Sequence, residues 1–174
     1  MNKTIVIIGI ILTGIFSAFA YYIKTAIPKT AYIDVKKVYN EFVLKKELES
    51  KLTNVQQTRK TIIDSLELQL KILSKQLEIL TKRDEQKENV FTEKREEYLV
   101  KKKQFDEDNQ AMTQQYSDQI MKQLNQYVQD YGKANSYTYI YGADGNGSMM
   151  YADDKHNITD EVIKFINEKY KGIK

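Results

Sequence analysis

The sequence predicts a predominantly α-helical α+β protein, a long antiparallel coiled-coil hairpin arm carried on a small β body. Three observations predict it. Apolar residues recur at helical spacing from Leu44 to Leu80 and again from Phe91 to Tyr131. The single proline, Pro28, precedes both runs, so neither contains a residue that must break a helix. Short β-prone segments stand outside them, at 30–33, 136–141 and 148–152. A length of 174 residues allows one domain, two at most.

The N-terminus reads as a targeting segment. After Lys3 comes an uncharged run, TIVIIGIILTGIFSAFAYYI, at 4–23. Its length suits a transmembrane helix. It also suits a signal peptide, with an apolar core from Ile5 to Phe16 and Ala18 and Ala20 in the A-x-A cleavage pattern. Lysines on both sides leave orientation undecided. Residues 1–23 are therefore a cleaved signal or a retained anchor in the inner membrane. Either way the rest of the chain is exported, to the periplasm or cell envelope.

Past Pro28, TAYI is a short strand and Asp34 an N-cap, and Val35, Val38, Tyr39 and Phe42 form one helical stripe. The seam continues through Leu48, Leu52, Val55, Arg59, Ile62, Leu66, Leu70, Leu73, Leu77 and Leu80, with an irregular double step of four at 62, 66 and 70. The polar stretch TKRDEQKEN, 81–89, is the expected tip of the hairpin. Beyond it Phe91, Tyr98, Phe105 and Met112 lie seven apart, among polar core positions, before the seam thickens towards Tyr131. Each arm of about 40 residues would reach about 60 Å. Gly132 stands where a C′ glycine belongs. The two strands SYTYIYG and SMMYA are expected to form a hairpin about the turn GADGNG, 142–147. A last helix starts near Thr159, its expected N-cap, and buries Val162, Ile163, Phe165 and Ile166. The organisation is thus 1–23 leader or anchor, 29–43 with 132–174 a small α/β oligomerisation body, and 44–131 the arm.

Catalysis finds no support. Cysteine is absent, and no G-x-S-x-G or S-x-x-K arrangement exists to activate a serine. The glycines at 142, 145 and 147 miss both phosphate-loop spacings, and a strand, not a helix, is expected after them. As a calcium loop starting at Asp144, the segment offers Met149 where glycine is required and Lys155 where glutamate is required. His156 beside Asp153 and Asp154 reads as a solvated turn, and Glu96 and Glu97 as a solvated helix face. The chain reads as no enzyme, with no cofactor and no metal site. Its 27 basic and 24 acidic residues are interleaved, without the concentrated basic face of a nucleic-acid binder.

What remains is an argument from shape. The parts outside the arm amount to about 60 residues, too few for a stable solitary body. The strand at 136–141 carries tyrosines and β-branched residues on both faces and needs covering and edge pairing. Self-association supplies both, through Tyr32, Ile33, Tyr137, Tyr139, Ile140, Tyr141, Met149 and Met150; a peptide-binding face is the other reading.

TAYIDVKKVYNEF before the hairpin and YGKANSYTYIYGADGNGSMMYADDKHNITDEVIKFINEKY after it resemble the two ends of Skp/OmpH-family chaperones. The resemblance covers 29–174, the arms matching only in helical character. It implies a homotrimer whose β-barrel body combines strands of all three subunits, with helical arms around a cavity. It implies an ATP-independent periplasmic holdase that shields unfolded outer-membrane proteins. The near-balanced charge of these arms departs from the strongly basic members.

A thinly packed arm suits such holding. Leu73, Leu77, Leu80, Phe91, Tyr98 and Phe105 would offer many weak apolar contacts. Lys82, Arg83, Lys87, Lys94 and Arg95 would attract anionic chains or an anionic membrane surface. The competing class is a membrane-anchored coiled-coil tether of the envelope without chaperone activity.

Overall fold

The computed structural model describes residues 3–80 and 82–173, side chains at 3–10, 20, 24–26 and 173 excepted. Its elements are α1 (Lys3–Ala26), β1 (Thr30–Asp34), α2 (Val35–Glu41), α3 (Val43–Glu78), α4 (Glu85–Ala134), β2 (Tyr139–Ala143) and α5 (Thr159–Ile173), with a short 3₁₀ turn at Asp154–His156. Among the described residues the fold is predominantly helical with one two-stranded sheet. Two units are distinguished: Met1–Val38 with Gln126–Lys169, and Tyr39–Asn125 with Tyr170–Lys174.

In the first unit β1 and β2 pair in parallel, Ala31 opposite Ile140 and Ile33 opposite Gly142. Asp34 ends β1 and caps α2, its Oδ1 accepting the Lys37 amide at 2.9 Å. Ala31, Ile33, Val38, Tyr127, Ile158, Val162, Ile163 and Ile166 make the core of this unit, and Phe165 is half-buried. Burying each large side chain contributes about 1.5–3 kcal/mol. The Ile158 amide donates to the Tyr32 carbonyl at 3.0 Å, which ties the start of α5 to β1.

Several sequence expectations are corrected here. The strand expected at 136–141 begins later, and 148–152 forms no strand. The expected hairpin about 142–147 is absent. A tight hairpin turn of type I′ needs two successive residues at positive φ. Here Gly145 (φ 77°) and Gly147 (φ 88°) are separated by Asn146, which is not at positive φ. Gly132 does not end its helix. Ser136 takes the left-handed position (φ 58°), with the Tyr137 amide donating to the Gly132 carbonyl at 2.9 Å and the Ser136 amide to that of Lys133 at 3.3 Å. Gly132 instead lets β2 approach, since a Cβ there would lie 3.3 Å from Ile140 Cδ1. Thr159 is not the side-chain cap. Its own amide donates to Asn157 Oδ1 at 3.0 Å, while its hydroxyl accepts the Asp34 amide at 2.9 Å.

The transmembrane helix expected over 4–23 is also corrected. Among the described residues no helix is long and apolar enough to cross a membrane. Such a helix needs about 20 consecutive, predominantly apolar residues. Side chains 3–10 lie outside the described residues, and Thr13, Ser17, Tyr21 and Tyr22 dilute the apolar character of the remainder of α1.

In the second unit Phe42 breaks the helical run. Its extended backbone (φ −70°, ψ 124°) separates α2 from α3, and its buried ring packs edge-on against Tyr170 at 5.8 Å. The Tyr170 hydroxyl donates to Glu47 Oε2 at 2.9 Å. The turn between α3 and α4 is shorter than the expected tip, because α4 already begins at Glu85, with Asp84 accepting the Lys87 amide at 3.2 Å. Arg59 meets Phe105, Asp108 and Asn109, about as far beyond the turn as Arg59 lies before it, so the two helices run antiparallel there. Leu66 is buried, and Leu52, Val55, Arg59, Ile63, Leu70, Leu73 and Leu77 are half-buried. Ile62 is exposed. The doubled step of four therefore falls at 55, 59 and 63. Helical geometry places Ile62 and Ile63 equally far from the centre of the row. Ile63 is the half-buried one of the two, lining a small cleft with Arg59 and Phe105.

Candidate interaction surfaces

The first unit presents the sheet and the loop after it. Alternation along β2 sends Tyr139 and Tyr141 to one face, both half-exposed, with rings stacked at 6.1 Å. Ile140 points the other way and is half-buried. Of the residues expected at an interface, Ile33 lies in the chain's own core at 4 % exposure. Tyr32 is half-buried, its hydroxyl 3.5 Å from Asp154 Oδ1. Tyr137 stacks on Tyr131 at 6.1 Å beneath the Lys29 ammonium, 4.0 Å from its ring centre. Met149 is half-buried, while Met150 stands 89 % exposed. Tyr151, at 86 %, is a neighbour that the sequence pattern did not single out.

Behind this face lies an aromatic and ionic cluster. Tyr131 meets Phe165 edge-on at 5.3 Å. Lys169 pairs with Asp130, and its ammonium lies 5.5 Å from the rings of both Tyr127 and Phe165. The Lys169 hydrogen bond, with a second from Gln126, holds the Asp130 carboxyl below its ordinary range. Burial pushes the phenols of Tyr127 and Tyr131 upward.

The 142–147 loop is a local turn. Asp144 Oδ1 accepts the Asn146 amide at 2.8 Å and Oδ2 accepts its side-chain amide at 3.1 Å. The Asn146 backbone bond leads the causes that keep this carboxyl low. Asp153 caps the 3₁₀ turn by accepting the Lys155 amide at 3.0 Å, which lowers it likewise. His156 Nδ1 lies 3.3 Å from the Thr30 carbonyl oxygen. Among the described residues no three His, Cys, Asp or Glu side chains are grouped to hold a metal ion.

In the second unit the expected contact residues separate into two groups. Leu73, Leu77, Phe91, Lys94, Tyr98 and Phe105 are half-buried, and Lys102 bonds the Tyr98 hydroxyl at 3.3 Å. Leu80, Lys82, Arg83, Lys87 and Arg95 are exposed. Three of the expected cations already hold carboxylates. Arg83 pairs with Glu88 at 3.0 Å, Lys87 with Asp84 at 3.8 Å, and Lys94 with Glu97 at 2.7 Å. Glu97 is clamped by Lys94 and Lys101, which bring its carboxyl down to about 2. Sequence periodicity missed the exposed apolar residues Leu68, Ile72, Ile79, Val90, Leu99 and Val100, because a seam search discards positions off the row.

The family model for outer membrane proteins of the OmpH-like type matches residues 29–166. Among solved structures, a Caulobacter crescentus protein described as an OmpH-like outer membrane chaperone shares the fold. Its TM-score is 0.70 at 16% identity, over 82% of this chain and 86% of that one. No curated protein matches the chain.

Proposed function

This chain belongs to the OmpH-like outer membrane protein family, and from that premise we propose that it is an ATP-independent holdase of the periplasm. So read, the chain works by holding and carries no catalytic role. In this reading three copies join through a body formed by 29–43 and 132–174, with Tyr32, Ile33, Tyr137, Tyr139, Ile140, Tyr141, Met149 and Met150 at or beneath the contact. The arms, 44–131, enclose unfolded outer-membrane proteins, and residues 1–23 act as an export leader.

One observation carries the reading: among the described residues the sheet is a single parallel pair whose tyrosine face is open to solvent. A two-stranded sheet is marginal by itself, and parallel strands are ordinarily covered on both faces. Strands and side chains from further copies would complete it. The half-buried apolar residues of the second unit, and its exposed Leu80, Lys82, Arg83, Lys87 and Arg95, then supply the many weak contacts of a holding surface.

The test is to dilute a urea-unfolded β-barrel outer-membrane protein into buffer with a molar excess of the purified chain, without nucleotide. Light scattering should stay low, and the chain alone should run as a trimer by size exclusion with light scattering. A monomer at micromolar concentration that leaves the aggregation trace unchanged would refute it.

A further inference from the structure

We propose that the outward face of α3, carrying Leu68 and Ile72 and continued by Ile79 immediately after its end, is a docking strip for extended client segments that alternate apolar with acidic residues. The inference rests on the holdase reading and assigns a surface which that reading leaves open.

Leu68, Ile72 and Ile79 are 59%, 48% and 81% exposed, whereas Leu66 on the opposite side is 6%. At 3.6 residues per turn the three lie within about 40° of one another and about 150° around the helix from the row Leu66, Leu70, Leu73 and Leu77. Isolated exposed leucines are ordinary. Three large aliphatic residues aligned over three helical turns make a surface.

The charges on this face select the occupant. Lys75 sits within the strip, three residues after Ile72 and four before Ile79, and Lys71 flanks it. Exposed Lys82 follows in the turn. The acid on the same side, Asp64, is already paired with Lys60 at 2.6 Å. A second copy of the strip would bring Lys71 and Lys75 against themselves, and the apolar row is too short for a coiled coil, which needs three or four heptads. A partner that is apolar and acidic meets no such conflict.

Spacing favours an extended chain. Leu68 and Ile72 are separated by about 6 Å along the helix axis, at 1.5 Å per residue. Same-face side chains of an extended strand recur at about 6.6 Å. An unfolded segment with β-barrel alternation can thus seat two successive apolar side chains on Leu68 and Ile72 while its acidic positions lie within reach of the long Lys71 and Lys75 side chains.

The experiment places a benzophenone amino acid at Ile72, or at the seam neighbour Leu73, and irradiates the full chain with a urea-diluted, unfolded β-barrel protein. Cross-linking should be several-fold greater from position 72, and equal or greater yield from 73 would overturn the proposal. The triple variant Leu68→Gln, Ile72→Gln and Ile79→Gln, at exposed positions where glutamine preserves helix propensity, should need several-fold more chain to suppress aggregation. Its circular dichroism and oligomeric state should match wild type. A triple variant that holds client equally well sinks the strip alone; a wild-type chain that fails to hold sinks the holdase reading and the strip with it. Replacing the acids of a model alternating peptide by lysine should weaken its binding, and equal binding of both peptides would remove the charge argument. Protection of position 72 by anionic vesicles but not by unfolded protein would reassign the face to lipid.

Discussion

Arg59 of α3 and Asn109 of α4 meet at 2.5 Å, the guanidinium also reaching Asp108 at 3.2 Å and lying 5.3 Å from the Phe105 ring. A cation therefore occupies an apolar slot at the doubled step of the seam, its stem packed and its head paired. Arg59→Ala removes both and should cost about 1–2 kcal/mol by urea denaturation. Arg59→Met keeps the packing and should stay within about 1 kcal/mol of wild type. Equal destabilisation by the two variants would mean that the ionic contacts, not the stem, hold this level of the helix pair.

Gly142 makes the tightest approach among the described glycines. A Cβ there would stand 2.8 Å from Val35 Cγ2, and valine's branched side chain has little rotamer freedom to yield. Gly142→Ala should destabilise by about 1–3 kcal/mol. Gly172 meets nothing within 4 Å near the end of α5, so Gly172→Ala should be neutral or stabilise by up to about 1 kcal/mol. Thermal melts of the two variants should move in opposite directions.

Tyr139 and Tyr141 are 56% and 50% exposed and contribute little to packing within the chain. The double variant Tyr139→Ser and Tyr141→Ser should keep the helical circular dichroism of wild type yet lower the assembly mass by light scattering, with dissociation at a protein concentration at least tenfold higher, about 2.8 kcal/mol for a trimer, whose dissociation constant scales with the square of concentration. A variant that assembles like wild type would remove these rings from the proposed interface.

Helices were legible because their apolar rows repeat over many turns: Leu48, Leu66, Ile120, Leu124 and Val162 are buried as periodicity requires. The β elements were legible as segments but not as partners. Parallel pairing of Thr30 with Tyr139 joins residues more than a hundred positions apart, and no local pattern encodes it. A glycine-rich loop after a strand reads as a hairpin until φ values separate Gly145 from Gly147. Surfaces were least legible. Periodicity marks residues that face a neighbouring helix, so it selected Leu73 and Leu77 and passed over Ile72 and Ile79, which face outward.

The Asp130–Lys169 pair sets a pH dependence whose sign is fixed by geometry. Lys169 donates to Asp130 Oδ2 and Gln126 to Oδ1 at 3.0 Å, and these bonds favour the ionised carboxylate, so its folded pKa lies below the unfolded value. Folding is therefore favoured by this pair wherever the unfolded carboxyl is already ionised, above about pH 4, and the contribution is lost as pH falls through the lower folded value. Asp130→Asn removes the charge at every pH. Its melting temperature should lie below wild type at pH 7, and the gap should narrow steadily as the buffer is taken below pH 4. High salt should shrink the gap only in part, because both side chains are mostly covered, 26% and 36% exposed. A gap that stays constant from pH 7 to below the folded pKa would mean that asparagine disturbs the Tyr127 and Phe165 packing around Lys169, and that the carboxylate charge itself contributes nothing.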